Sequence, residues 1–206
     1  MQKNCALLLI DLQNDFCKGG NLAVPLADEI IPLANQLQSK FDVIIATQDW
    51  HPSDHSSFVI NNPGSKIGDI VKLEGLDQII WPVHCVQQSR GAALHADLNQ
   101  KKIKYIVYKG TDRTLDSYSA FFDNAHQRST GLAHLLNDLG IQTIYMMGLA
   151  TDYCVKYSAL DAVHLGFHVV LISDACRGVE LNPGDIENAL RELQLAGIQL
   201  IKMAEI

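Results

Sequence analysis

The sequence predicts an α/β fold: an open, mostly parallel six-stranded sheet with helices on both faces. Three observations carry this reading. Short continuous apolar runs, the mark of strands buried on both faces, recur along the chain. Between them lie stretches whose apolar residues repeat at helical spacing. Glycines stand where helices should stop, at Gly140, Gly166 and Gly197. Strands and helices alternating in this way make a parallel sheet.

Ala6 to Ile10 is the first apolar run and ends at Asp11. After a loop with Gly19-Gly20, the apolar positions Ile30, Ile31, Leu33, Ala34 and Leu37 are helical in spacing. Pro32 is tolerated only near a helix start, which places that start close to Asp28. Phe41 to Thr47 reads as the second strand, just before Gln48-Asp49-Trp50-His51. From Pro52 to about Asn99 no period is sustained, and so much irregular chain in a compact domain usually carries function. Lys104 to Tyr108 is the third strand. Leu132, Leu135, Leu136 and Leu139 form a helical stripe, and Ile141 to Met147 is the fourth strand. It runs into Gly148 to Val155, read as a strand-to-helix turn, and Val155, Ala159, Ala162 and Val163 form the next stripe. Phe167 to Ile172 is the fifth strand. Asn182-Pro183 looks like an N-cap with proline at the first helical position, opening a last helix through Ala196. Ile198 to Met203 is the sixth strand.

The 206 residues hold no Pro/Ser-rich linker, charge block or low-complexity tract, so one domain, 1–206, is expected. A net charge of -7 and a pI near 5.5, with no long basic run, argue against nucleic acid as a partner. Leu7 to Ile10 runs straight into Asp11, and no apolar run approaches membrane-spanning length, so neither a signal segment nor a membrane partner is expected and the cytoplasm is the expected location. Five scattered cysteines without a Cys-x-x-Cys pair argue against a disulfide framework and a four-cysteine zinc site. The pattern specifies no oligomeric state.

In open parallel sheets ligands bind at the carboxyl ends of the strands. Here those ends carry Asp11, Asp49 with His51, Lys109, and the turn containing Cys154. At a helix start, unpaired N–H groups and the dipole favour a thiolate, which is a nucleophile. Asp11, desolvated at the end of a buried strand, suits the role of proton acceptor, and Lys109 that of a positive charge between the two. Each has a plainer reading when taken singly: a packed cysteine, a loop-capping carboxylate, a snorkelling lysine. Their joint placement favours a triad. The backbone N–H groups of Ala150 and Cys154 are candidate oxyanion donors, and removing one such donor typically costs about 2.7–4 kcal/mol of barrier.

Asp49 and His51, two residues apart on an extended segment, point to the same side. His84, in Trp81-Pro82-Val83-His84-Cys85, could complete an N/O set suited to Zn, Fe or Mn, with His55 as a candidate fourth ligand or supporting neighbour. The plainer readings are a simple turn at Asp49 to Pro52 and a packed core histidine at position 84. Cys85 reads as structurally buried. The remaining histidines, at 95, 126, 134, 164 and 168, read as helix-surface, loop or strand residues.

With these residues in view, the chain resembles the nicotinamidase/pyrazinamidase family of isochorismatase-like cysteine hydrolases, whose sheet is Rossmann-like. The resemblance runs nearly end to end. It rests on Asp11-Leu12-Gln13-Asn14-Asp15-Phe16, Thr47-Gln48-Asp49-Trp50-His51-Pro52, Trp81-Pro82-Val83-His84-Cys85-Val86-Gln87, Lys109-Gly110 and Gly148 to Val155. It implies a Cys154/Lys109/Asp11 triad, a divalent metal on Asp49, His51 and His84, and a cis peptide at Leu149-Ala150 that aims the Ala150 and Cys154 N–H groups at an oxyanion. It also implies a small amide substrate, nicotinamide, with its ring held among Phe16, Trp81 and Tyr118. The expected reaction is deamidation to nicotinate and ammonia through a thioester, with pyrazinamide as a second substrate, in the service of NAD salvage. The weighed alternatives are an amidase of the same chemistry preferring another amide, and a non-catalytic metal-binding or redox-sensing module in which Cys154 is oxidised.

Overall fold

The computed structural model describes residues 4–206. One sheet of six strands forms the core: β1 (Cys5–Ile10), β2 (Val43–Asp49), β5 (Tyr105–Lys109), β6 (Thr143–Leu149), β7 (His168–Arg177) and β8 (Gln199–Ile201), in the spatial order β5-β2-β1-β6-β7-β8. Every neighbouring pair is parallel. The expected sheet is therefore present with all six strands. Residues Ala6 to Ile10 of β1 are at most 1% exposed, as a central strand covered on both faces requires.

Successive strands step outward in one direction from β1 to β2 and β5, and in the other from β6 to β7 and β8. Right-handed crossovers therefore place α1 (Ile30–Leu37) on one face and α3 (Lys156–His164) and α4 (Asp185–Leu195) on the other. The direction reverses between β1 and β6. The crevice at their carboxyl ends is where ligands bind in such sheets, and Asp11 and the Gly148 turn stand there.

The two central strands approach closely at this point. A Cβ on Gly148, whose φ is +134°, would lie 2.1 Å from the Ile10 carbonyl oxygen, so only glycine fits. Pro32 occupies the third position of α1, inside the first turn, where its missing N–H is harmless. α2 (Leu132–Asp138) buries Leu132 and Leu136 of the expected stripe.

Several boundaries differ from expectation. β2, β5 and β6 end one or two residues later than their apolar runs, so Asp49 and Lys109 are the last residues of their strands rather than the first of the loops. β7 continues to Arg177, past a register shift opposite Met146 and Gly148, while β8 is shorter than expected. α4 opens at Asp185, because Gly184 at φ +95° stands at the cap and the Asp185 carboxylate takes the Asn182 N–H. Pro183 thus precedes the helix. The irregular stretch after Pro52 holds an antiparallel hairpin, β3 (Ile70–Leu73) with β4 (Leu76–Ile79), turned by Glu74 and Gly75 at φ +48° and +82°.

Cys154 is not in the first turn of an α-helix. Thr151 to Val155 form a single π-helical turn, and α3 begins at Lys156. Such turns add one residue to the helical circuit and are frequent at functional sites.

Candidate active site

Three side chains from three strand ends meet in the crevice. Lys109 Nζ lies 2.9 Å from Asp11 Oδ2 and 3.4 Å from Cys154 Sγ, so the lysine stands between carboxylate and thiol as expected. It also lies 3.0 Å from Asp49 Oδ1 and donates to the Ser117 carbonyl at 3.1 Å. Asp11 is held by Thr47, whose hydroxyl donates to Oδ1 at 2.5 Å and accepts the Asp11 N–H at 3.1 Å. All three groups are buried, and Lys109 is 1% exposed.

Burial governs the protonation of this trio. It raises the Asp11 carboxyl above its ordinary value, with Lys109 opposing only in part. It pushes the Cys154 thiol well up as well, again against Lys109. Burial thus works against the thiolate that the helix-start N–H groups and Lys109 would favour. Burial also works against a charge on Lys109, but Asp11 and Asp49 overcome it and raise the ammonium pKa well up. A lasting positive charge thus sits beside two groups able to share one proton.

Asp49, His51 and His84 form a second cluster, their ligand atoms within 4.8 Å of one another. Asp49 Oδ2 is 3.1 Å from His51 Nε2 and 3.5 Å from His84 Nε2. The opposite ring nitrogens face carbonyls, His51 Nδ1 that of Gly110 at 2.9 Å and His84 Nδ1 that of Pro82 at 2.8 Å. A carbonyl can only accept, so each neutral ring donates from Nδ1 and turns its Nε2 lone pair towards Asp49. Two imidazole lone pairs and a carboxylate oxygen facing one another need a cation between them, and this donor set fits a divalent metal. Burial opposes a proton on His51, yet Asp49 raises its pKa, so proton and metal compete for that nitrogen.

Gly110 closes the back of this cluster. A Cβ there would lie 2.5 Å from His51 Cε1. On the other side, the Asp15 carboxylate accepts the Cys85 N–H at 2.7 Å and the Asn21 N–H at 3.2 Å, tying the His84 loop to the chain following Phe16. Cys85 is fully buried, as expected. His55 falls in a different group, with His51 and Asp116. The Ser57 N–H donates to its Nδ1 at 3.2 Å, its buried Nε2 has no hydrogen-bond partner among the described residues, and burial lowers its pKa to about 4.

A pocket opens over both clusters. Its lining includes Cys154, Ala150, Asp49 and His84 at one end and Phe16, Trp81 and Tyr118 as walls. Trp81 Nε1 donates to the Tyr118 hydroxyl at 3.1 Å, as does Gln78 Nε2, which fixes both rings. The peptide between Leu149 and Ala150 is cis, as the resemblance implied.

Sequence reasoning missed four wall residues: Leu22, Asp116, Tyr153 and Val179. Tyr153 stood inside the Gly148 to Val155 motif, and its ring meets Trp81 edge-on at 5.1 Å. Val179 is brought over the pocket by Asp152, whose buried carboxylate accepts the Val179 and Glu180 N–H groups at 3.0 and 2.7 Å. No local signal marks Leu22 or Val179, since the chain returns to the site from distant positions.

An α/β sheet with a Cys-Lys-Asp trio and an Asp-His-His cluster at its switch point defines a class of hydrolase, and residues 5–205 match the isochorismatase domain: the chain belongs to that family. Within it, the chain is 48% identical over 204 residues to the nicotinamidase of Escherichia coli, covering 97% of this chain and 95% of that protein. The solved Acinetobacter baumanii nicotinamidase/pyrazinamidase superposes with a TM-score of 0.97 at 44% identity, covering 100% of this chain and 99% of that one. A Leishmania infantum relative, solved in complex with nicotinate, matches with a TM-score of 0.85 at 37% identity, over 98% of this chain and 93% of that one. The pyrazinamidase of Pyrococcus horikoshii in complex with zinc matches with a TM-score of 0.79 at 37% identity, over 97% of this chain and 99% of that one.

Proposed function

We propose that this chain, acting as a single catalytic domain, is a metal-dependent cysteine amidohydrolase that converts nicotinamide to nicotinate and ammonia, with pyrazinamide as a further substrate and NAD salvage as its physiological setting. The observation that carries the reading is Lys109 Nζ placed within 3.4 Å of Cys154 Sγ and 2.9 Å of Asp11, with Cys154 lining an aromatic pocket. The nicotinamidase relatives along the full chain support the choice of amide.

Phe16, Trp81 and Tyr118 hold the ring of the substrate, with Tyr153 completing the wall edge-on to Trp81. Asp11 takes the thiol proton as Cys154 Sγ attacks the carboxamide carbon, and Lys109 offsets the negative charge that has moved to the sulfur. The N–H groups of Ala150 and Cys154 receive the oxyanion. When the tetrahedral adduct collapses, the C–N bond breaks and Asp11 returns its proton to the nitrogen, so ammonia leaves and a thioester remains. Asp11 then deprotonates water, which attacks the thioester carbonyl. The C–S bond breaks, the thiol regains its proton and the carboxylate is released. A carboxyl with a raised pKa suits this shuttling, because it is a better base towards the thiol and can still return the proton to the more basic leaving nitrogen.

Asp49, His51 and His84 would hold the metal, and zinc, iron and manganese all suit two imidazoles and a carboxylate. A metal held there would supply a Lewis acid beside the pocket that Asp49 and His84 line. His55 supports this cluster from beside His51, at a ring separation of 4.4 Å. No helix among the described residues is long and apolar enough to cross a membrane, and the cytoplasm is the location proposed for the enzyme.

Ammonia release from nicotinamide by the wild type and by Cys154→Ala tests the scheme. Loss of turnover in the variant with an unchanged fold is expected, and full activity without the sulfur would overturn it. Comparative rates on nicotinamide, pyrazinamide and carbamoyl compounds separate this reading from an amidase preferring another amide.

A further inference from the structure

The β3–β4 hairpin stands apart from the main sheet, its two strands pairing with each other. Of residues 70–79 only Gln78 is buried, at 5% exposure, while Ile70 of the same hairpin is 66% exposed. That order is the reverse of what the burial of apolar surface would select. Burying a glutamine costs side-chain entropy and the hydration of its amide, so its contacts must offset both.

Those contacts converge on the wall of the substrate pocket. Gln78 Nε2 lies 2.8 Å from the Ile79 carbonyl, 3.1 Å from Asp116 Oδ2 and 3.1 Å from the Tyr118 hydroxyl. A carbonyl and a carboxylate only accept, which fixes the amide with its nitrogen towards all three groups. Asp116 and Tyr118 both line the pocket, whereas Gln78 stands outside its lining. Trp81, two residues beyond the end of β4, donates from Nε1 to the same hydroxyl at 3.1 Å. One phenol oxygen thus joins the hairpin to two of the three rings that frame the pocket.

Tyr118 is also the residue that the pocket shares with a second depression, which Leu76, Ser119 and Tyr157 help to line. Tyr157 stacks on Tyr118 at a centroid distance of 5.5 Å but is itself 40% exposed. A ring with open space on its far side is not wedged by close-packed neighbours, so the bonds at its hydroxyl decide where it stands. We propose that Gln78 is a positioning residue for the substrate ring, holding Tyr118 by its hydroxyl and so setting the spacing between the Tyr118 and Trp81 walls. The identity of that ring rests on the amidohydrolase reading.

The test is a double-mutant cycle on nicotinate binding, measured calorimetrically on the full chain as wild type, Gln78→Leu, Tyr118→Phe and the pair. Loss of a hydrogen bond that places the wall should weaken binding about fivefold in Gln78→Leu. In the Tyr118→Phe background, where the hydroxyl is gone, the same change should cost nothing further. An unchanged Kd in Gln78→Leu, or an equal loss in both backgrounds, overturns the proposal, since Gln78 would then act through Asp116 or the fold alone. On nicotinamide, Gln78→Leu should lose more through KM than through kcat, and a loss confined to kcat overturns it as well. Should Gln78→Leu not fold, NMR of the wild type decides: nicotinate should slow solvent exchange of the Gln78 side-chain NH2, and no change on saturation removes the proposal. The binding readouts need no turnover. A wild type that binds nicotinate without hydrolysing nicotinamide fails the amidohydrolase reading and leaves the cycle to judge Gln78.

Discussion

Lys109 Nζ stands 3.0 Å from Asp49 Oδ1, while the other oxygen of Asp49 faces His51 and His84. A single carboxylate thus joins the Lys109 cluster to the His51 and His84 cluster, the proposed proton-transfer trio to the proposed metal site. Whatever charge Asp49 gives to one cluster it withholds from the other.

Replacing Lys109 with Met leaves Asp11 and Asp49 buried around an uncharged chain. Breaking a buried ion pair from one side costs about 3–5 kcal/mol. The expected outcome is a lower melting temperature together with loss of turnover, measured by denaturant unfolding and ammonia release. A variant as stable and as active as the wild type contradicts the arrangement.

The pH profile should follow Asp11. Its carboxyl is raised above 3.8 by burial, and the base must be ionised to accept the thiol proton. Activity therefore falls as pH drops through that raised value, and the acid limb of kcat/KM lies above the ordinary carboxylate range. The Thr47 hydroxyl bond favours the ionised form, so Thr47→Val should move the limb higher still. A limb that stays in place in the variant rules out Asp11 as its origin.

Metal affinity should weaken as pH falls. Asp49 raises the His51 pKa above 6.5, and the proton occupies the nitrogen that the metal needs. Competition then begins above the usual imidazole range, so zinc titrated calorimetrically at pH 8 and pH 6 should bind more tightly at the higher value. Equal affinities at the two values would show that His51 is not a ligand.

Gly110→Ala should lower metal content without touching a ligand. The new methyl would lie 2.5 Å from His51 Cε1 and displace that ring. Metal analysis of the purified variant checks this, and a full complement of metal would mean that the loop yields instead.

Much of this site was legible in the sequence because each key residue follows an apolar run. Asp11, Asp49, Lys109 and Cys154 needed only the rule that parallel strands present their carboxyl ends together. Other features left no such trace. The hairpin of Ile70 to Ile79 is half exposed, and Glu74 is an unusual residue for its left-handed turn position, so neither alternation nor turn chemistry marked it. The π turn at Thr151 to Val155 preserves the apolar stripe that follows it and so reads as ordinary helix. Leu22 and Val179 reach the pocket through Asp15 and Asp152, buried carboxylates whose partners lie far along the chain or across a loop.

β5 lies at the edge of the sheet, with β2 as its one neighbour, and Lys109 is its final residue. Edge strands and strand ends are where hydrogen exchange is fastest and local opening cheapest. The lysine would therefore ride on readily frayed backbone were it not clasped by carboxylates from β2 and from the end of β1. Those two ion pairs act as a mooring, and the same charges that set the chemistry also keep the rim of the sheet from breathing.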